Sequence, residues 1–310
     1  MKVAFVFPGQ GSQSIGMLAE MAKIHPLIEA TFAEASAVLD FDLWQLTQQG
    51  PEEELNKTEF TQVALLVASI ALWRIWQSQN GKQPILLAGH SLGEYSALVC
   101  AKVLDFTTAI KLVRQRGQFM QRAVMPGIGA MAAIIGLTNI KVQQVCAQAM
   151  EGEVVMPANF NSPGQIVIAG HAKAVQRANE LAKQAGARKV VQLPVSVPSH
   201  CTLMQPAAHA LAKALQDVIT SPPQTSCINN VAVAIENETQ KIEAALVQQL
   251  TSPVRWVETV EKMLAMGITH MIECGPGRVL TGLNKRINKN CYYTTLNSPE
   301  DLTTLLRELT

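Results

Sequence analysis

No Cys-x-x-Cys pair occurs in this chain; its six cysteines (Cys100, Cys146, Cys201, Cys227, Cys274 and Cys291) are scattered along 310 residues. That scatter argues against a structural zinc site and a small disulfide scaffold, and fits reduced thiols in a cytoplasmic protein. An excess of one charge is missing too: 25 basic against 24 acidic residues leave +1, with no electrostatic footprint for nucleic acid. No apolar run reads as long enough to span a membrane, since the longest, Val63 to Trp73, ends at Arg74. The opening run Val3 to Phe7 stops at Pro8-Gly9, too short for the apolar region of a signal peptide. Repeats, low-complexity tracts and a coiled-coil seam are also lacking, and with the balanced charge this points to a monomer. What is abundant is apolar residue, 48% hydrophobic against 16% charged. That is enough for a large core, in one big domain or a large one with a smaller insert.

The chain is organised around Gln83-Pro84-Ile85-Leu86-Leu87-Ala88-Gly89-His90-Ser91-Leu92-Gly93-Glu94. An apolar run reads as a buried strand, a Gly-x-Ser-x-Gly turn follows, and Tyr95 to Lys102 reads as a helix. This is the pattern of a nucleophile elbow, which lifts a serine hydroxyl above the end of a sheet. Gly89 and Gly93 lack a Cβ where strand and helix pass close together. Ser91 falls at a helix N-terminus, where free N–H groups favour a developing negative charge. The bland alternative is a structural turn with an N-capping serine.

Upstream, Val3 to Phe7 predicts a buried strand entering the loop Pro8-Gly9-Gln10-Gly11-Ser12. A dinucleotide fingerprint would need glycine at position 14, which is Ser14, so NAD binding is rejected. The loop is either a tight turn or a set of backbone N–H groups facing a ligand. Thr61 to Gln77 predicts a long, buried helix, and Phe106 to Val124 another. On that second helix Arg116 flanks the apolar face, whereas Arg114 points more toward solvent. Arg116 is either a snorkelling side chain or a cation reaching into a pocket to pair a carboxylate.

Pro126-Gly127 reads as a boundary, after which the pattern runs strand, helix, strand, strand, helix, strand to Leu193. That βαββαβ order is ferredoxin-like. Outside it strands and helices alternate, including strands at Ile228 to Val233, His270 to Cys274 and Tyr292 to Leu296. The expected fold is therefore α/β: a hydrolase-like core with a mainly parallel sheet, plus an inserted ferredoxin-like subdomain. Residues 1–126 and 194–310 would form the catalytic body and 127–193 the insert, with a ligand pocket between them.

A serine needs an adjacent base to become a nucleophile. His25, His171, His209 and His270 sit in positions where a structural or solvated role is the default, and His90 points away from its neighbour Ser91. His200 lies on the loop Pro194-Val195-Ser196-Val197-Pro198-Ser199-His200-Cys201, after the serine in chain order, and is the candidate base. A triad acid would have to be Glu94, Asp105, Glu151, Glu153 or Glu180, and none stands out. A backbone carbonyl orienting the imidazole would make a Ser–His dyad instead.

Four motifs in order, Phe7-Pro8-Gly9-Gln10-Gly11-Ser12-Gln13, Gly89-His90-Ser91-Leu92-Gly93-Glu94, Pro198-Ser199-His200-Cys201 and Glu273-Cys274-Gly275-Pro276-Gly277, carry a resemblance. Together they resemble the malonyl-CoA:acyl carrier protein transacylases of bacterial type II fatty acid synthesis, over essentially the whole chain. The resemblance implies that Ser91 is acylated and that His200 is its base. It also implies an oxyanion hole from the N–H groups of Gln10 and Leu92, pairing of Arg116 with the malonyl carboxylate, and orientation of His200 by the backbone carbonyl of Gln249, ahead of Pro253-Val254. Gln62 would line the pocket, although Val63 replaces the proline of the family's Thr-Gln-Pro-Ala segment, and Ser199 stands where many relatives have phenylalanine. Malonyl-CoA is then the substrate and acyl carrier protein the partner, bringing its own phosphopantetheine, with no permanently bound cofactor and no metal. The alternatives are a trans-acting acyltransferase of a polyketide synthase and a serine esterase or thioesterase.

Overall fold

The structure is a computed structural model that describes residues 1–195 and 197–309; Ser196, part of the stretch expected from sequence to be a loop, and Thr310 lie outside the described residues. The strands are β1 (Val3–Phe7), β2 (Leu86–Gly89), β3 (Gly129–Ile135), β4 (Val155–Ser162), β5 (Gln165–His171), β6 (Lys189–Gln192), β7 (Ser226–Ile228), β8 (His270–Cys274) and β9 (Tyr292–Leu296). Five of them form a parallel sheet in the order β7-β2-β1-β8-β9. The central β1 is buried at all five positions, as a parallel strand covered on both faces must be. Its side chains alternate between two cores. Val3, Phe5 and Phe7 pack with the helix Thr58–Ser78, while Ala4 and Val6 pack with Trp256, Val260 and Met263.

The other four strands form an antiparallel sheet in the order β4-β5-β3-β6. Helices Asn139–Ala149 and Ala172–Gln184 cover one face, completing the βαββαβ order expected from the sequence. The opposite face presents Met131, Ala158, Val167 and Ala169 to Cys201 in the body. Val254 stitches the two parts together, accepting from the Phe160 N–H and donating to the Ala158 carbonyl, each at 2.9 Å. The fold is thus a mixed α/β structure, and the carboxyl ends of β1, β2 and β8 meet where strand order reverses about β1, the usual ligand crevice of an open parallel sheet.

Several local expectations need correction. The strand expected over Ile228 to Val233 lies earlier, because Asn229 and Asn230 turn the chain: Asn229 Oδ1 accepts from the Ala232 N–H at 2.8 Å. The helix after His200 spans Gln205–Leu215; the sequence pattern predicts it over Met204 to Ile219. A helix, Leu43–Gln49, was not expected; Asp42 caps it by accepting from the Gln45 N–H at 2.8 Å. The pattern Pro51-Glu52-Glu53-Glu54-Leu55 predicts a helix opened by Pro51, whereas Pro51 is the N-cap of the helix Glu52–Leu55. The helix Thr58–Ser78 is, by length and composition alone, long and apolar enough to cross a membrane, contrary to the expectation from its apolar run. It is 83% buried inside the fold over its most apolar window, as a core helix is. Arg114 is more exposed than the fully buried Arg116, as expected, and its guanidinium also lies 4.9 Å from the Phe41 ring and 5.4 Å from that of Phe60.

Candidate active site

Sterics build the elbow. A Cβ on Gly89 would lie 1.8 Å from the Gly93 carbonyl carbon, and one on Gly93 would lie 2.0 Å from the Phe7 carbonyl oxygen. Only glycine lets β2, β1 and the helix Gly93–Cys100 approach so closely. The turn forces Ser91 to φ 53°, in the left-handed region that costs a non-glycine residue about 1–2 kcal/mol. Asn230 holds it there: its Oδ1 accepts from the Ser91 N–H at 2.7 Å and its Nδ2 donates to the Gly89 carbonyl at 2.6 Å.

The loop after β1 is pressed against the elbow. A Cβ on Gly9 would lie 2.5 Å from the His90 carbonyl oxygen, and one on Gly275 would meet the Pro8 ring at 2.5 Å. The Gly-Pro-Gly turn after β8 therefore serves to seat the Gln10 loop. Gln10 and Leu92 both line the cavity, and among the described residues no protein acceptor takes either backbone N–H. Two free donors beside Ser91, one at a helix N-terminus, suit an oxyanion.

His200 is buried and also has positive φ, 64°. Its Nδ1 is 2.8 Å from the Gln249 carbonyl oxygen, and its Nε2 is 2.8 Å from Ser91 Oγ. A carbonyl can only accept, so Nδ1 carries the proton and Nε2 is free to accept from the serine hydroxyl. Burial, and next the Arg116 guanidinium, lower the imidazole pKa to about 3. The resting histidine is neutral and so is competent as a base.

Arg116, on the helix Phe106–Arg122, is fully buried. One NH group donates to Gln62 Oε1 at 2.7 Å; the other donates to Gln249 Oε1 at 2.8 Å and Ser91 Oγ at 3.2 Å. Its partners are neutral, and among the described residues it forms no salt bridge. A buried cation with no counter-ion is costly, and an entering carboxylate would relieve it. These groups face one cavity of about 260 Å³ at the seam of the two sheets, with Met131 and Val167 of the antiparallel sheet forming its apolar wall.

All seven residues singled out from the sequence (Gln10, Gln62, Ser91, Leu92, Arg116, His200 and Gln249) are placed at this site; Gln249 touches it from behind. His90 does point away from Ser91's base, with Nε2 at 2.8 Å from Asn161 Oδ1. Sequence reasoning missed Asn230. It also set Glu94 aside as a triad acid. Glu94 makes no hydrogen bond to His200, but is buried with Oε2 accepting from Asn230 N at 3.0 Å and Gln249 Nε2 at 2.8 Å. A doubled asparagine after an apolar run was the one available signal for Asn230. Among the described residues, no group of three His, Cys, Asp or Glu side chains is placed to hold a metal ion.

Fold and elbow together mark an acyl transferase domain, and the family of that description matches residues 4–293. The "Malonyl CoA-acyl carrier protein transacylase" of Salmonella typhimurium is 58% identical over 305 residues, covering 98% of this chain and 99% of that protein. A Vibrio cholerae acyl carrier protein S-malonyltransferase structure is 57% identical, with TM-score 0.96 over 98% of this chain and all of that one. A malonyl-transacylase in complex with a type II polyketide acyl carrier protein is 55% identical, with TM-score 0.99 over 99% of this chain and all of that one. The chain belongs to the malonyl-CoA:acyl carrier protein transacylase family.

Proposed function

We propose that this protein is an acyl-carrier-protein S-malonyltransferase, moving malonyl from malonyl-CoA to the phosphopantetheine thiol of acyl carrier protein through a malonyl-serine intermediate. The product supplies extender units for fatty acid synthesis. The observation that carries this reading is the hydrogen-bonded Ser91–His200 pair sharing a cavity with Arg116, a buried cation that forms no salt bridge among the described residues.

The steps follow from the atoms. Ser91 Oγ attacks the thioester carbonyl as His200 Nε2 takes its proton, and the tetrahedral oxyanion lies against the Gln10 and Leu92 N–H groups. The carbon–sulfur bond breaks, the departing CoA thiolate takes the proton back from His200, and malonyl remains on Ser91 as an ester. The carrier thiol then repeats the sequence in reverse, giving ping-pong kinetics. Gln249 orients the imidazole through its backbone, and Arg116 with Gln62 selects a free carboxylate that acetyl lacks. The chemistry calls for no resident cofactor, because phosphopantetheine arrives on the partner.

We further infer that residues 127–193 act as one subdomain walling the cavity against a body of 1–126 and 194–310, and that the protein acts as a cytoplasmic monomer. Six unpaired cysteines support a reducing setting. A trans-acting polyketide acyltransferase would use the same chemistry, but the transacylase relatives favour the fatty acid reading. The esterase alternative loses support because, among the described residues, no carboxylate is hydrogen-bonded to His200. Incubation with malonyl-CoA followed by intact mass and peptide mapping should find the malonyl increment on Ser91, and none in Ser91→Ala. An unmodified wild-type protein would reject the reading.

A further inference from the structure

The Gln249 side chain sits between a buried cation, Arg116, and a buried carboxyl group, Glu94. Its Oε1 accepts from Arg116, and its Nε2 donates both to Glu94 Oε2 at 2.8 Å and to the Ser91 carbonyl at 3.1 Å. An amide has one accepting end and one donating end, so its orientation decides whether Arg116 meets an oxygen or an opposing N–H group. Glu94, from the elbow helix, sets that orientation. Glu94 Oε2 is the accepting atom here, since the same oxygen also takes the Asn230 N–H at 3.0 Å. A flipped amide would place donor against donor at Arg116 and acceptor against acceptor at Glu94.

We propose that Glu94 is a positioning residue for malonyl selectivity: it locks the Gln249 amide so that Arg116 is held with one face of its fork open to the substrate carboxylate. The arrangement explains why the carboxylate lies one side chain away from the cation. In direct contact Glu94 would occupy the donors that malonate needs. Acting through Gln249, it steadies the guanidinium while leaving those donors bound only to exchangeable neutral acceptors. Through Asn230 the same carboxylate also bears on the elbow, since Asn230 Oδ1 holds the Ser91 N–H. One buried acid thus ties the anion clamp to the nucleophile turn. This inference rests on the malonyltransferase reading above.

The test is steady-state transfer from malonyl-CoA and from acetyl-CoA to one phosphopantetheine-bearing carrier protein, using the full chain. The variants are Glu94→Gln, Glu94→Met, Gln249→Met and the double variant Glu94→Met/Gln249→Met. Glu94→Met should raise the malonyl-CoA KM about tenfold or more while changing the acetyl-CoA KM less than about threefold. Glu94→Gln, which keeps an oxygen in place for both donors, should restore malonyl KM to within about threefold of wild type. In the Gln249→Met background the Glu94→Met change should add less than about threefold, because the two residues act as one unit. Equal losses for both acyl groups, additive effects in the double variant, or a Glu94→Gln protein as impaired as Glu94→Met would each overturn the inference. Should Glu94→Met fail to fold by circular dichroism, Glu94→Asp, which retracts the carboxylate by one methylene, carries the same comparison. Wild-type protein in the same assay separates the two levels: no malonyl transfer there rejects the function itself, whereas transfer without the variant pattern rejects only the role of Glu94.

Discussion

Replacing Arg116 is the sharpest test of how the cavity chooses its acyl group. The guanidinium is fully buried and its three hydrogen bonds go to neutral oxygens on Gln62, Gln249 and Ser91. A malonyl carboxylate supplies the missing counter-ion, and removing one member of a buried pair costs about 3–5 kcal/mol. At about 1.4 kcal/mol per decade, Arg116→Ala should cut malonyl kcat/KM by about 10²- to 10³-fold or more. Acetyl has no carboxylate to strand in the cavity, so its transfer should change by less than about tenfold. The volume-matched Arg116→Met should remain folded. It strands two glutamine oxygens at about 1–3 kcal/mol each, but relieves the several kcal/mol of desolvation that an unpaired buried cation carries. Competition between malonyl-CoA and acetyl-CoA for a limiting carrier protein, read by mass spectrometry, gives the selectivity directly. If both acyl groups lose equally, Arg116 supports the elbow rather than the substrate, and the reasoning fails.

His200→Asn, chosen because asparagine tolerates the positive φ at this position, should lower malonyl transfer by about 10²- to 10⁴-fold with little change in melting temperature; near-normal rates would require another base. Gly93→Ala drives a Cβ against the Phe7 carbonyl, and overpacking of about 1–3 kcal/mol should lower the melting temperature by several degrees and reduce Ser91 acylation. An unchanged melt would contradict the close approach of elbow and first strand. The pH dependence of stability should divide between two buried groups: His200 is lowered from 6.5 to about 3, so its contribution fades as pH falls below 6.5, while Glu94 is raised from 4.5 to about 7, so its contribution fades as pH rises through 7. Between pH 4.5 and 6.5 the two slopes oppose, so urea melts of Glu94→Gln should show stability rising with pH by at most about 1.4 kcal/mol per unit, and parallel pH profiles for variant and wild type would refute the assignment.

How much of this was legible in the sequence depended on whether the cause was local. The elbow could be read because Gly89 and Gly93 record a steric demand within five residues. Strands β1, β8 and β9 match the expected limits because short apolar runs are bounded by glycine, proline or polar turns. Leu43–Gln49 was missed because Leu43, Leu46 and Thr47 give too short a buried stripe, and its start depends on the Asp42 cap. β7 was misplaced because apolar residues flank Asn229 and Asn230, whose turn outweighs the run. At the site, Arg116 on its own read more readily as a snorkelling cation than as a pocket residue. Its partners Gln62 and Gln249 lie 54 and 133 residues away, so only resemblance to a family could bring them forward. Glu94 and Asn230 had no such advocate, and their 136-residue hydrogen bond becomes visible only once the sheet is assembled.

For the proposed dyad, the electrostatics offer a reason why no acid is needed. In the resting site the Arg116 charge acts with burial to hold His200 neutral, so the base is ready but weak. A malonyl carboxylate docking on Arg116 cancels much of that field, and the base becomes stronger at the moment a substrate with the correct charge is present. An acidic triad partner would raise the histidine permanently and favour attack by any nucleophile, water included. With the Gln249 carbonyl in that place, activation depends on the substrate instead. On the proposed roles, the same buried cation would both select the acyl group and withhold basicity until that group arrives.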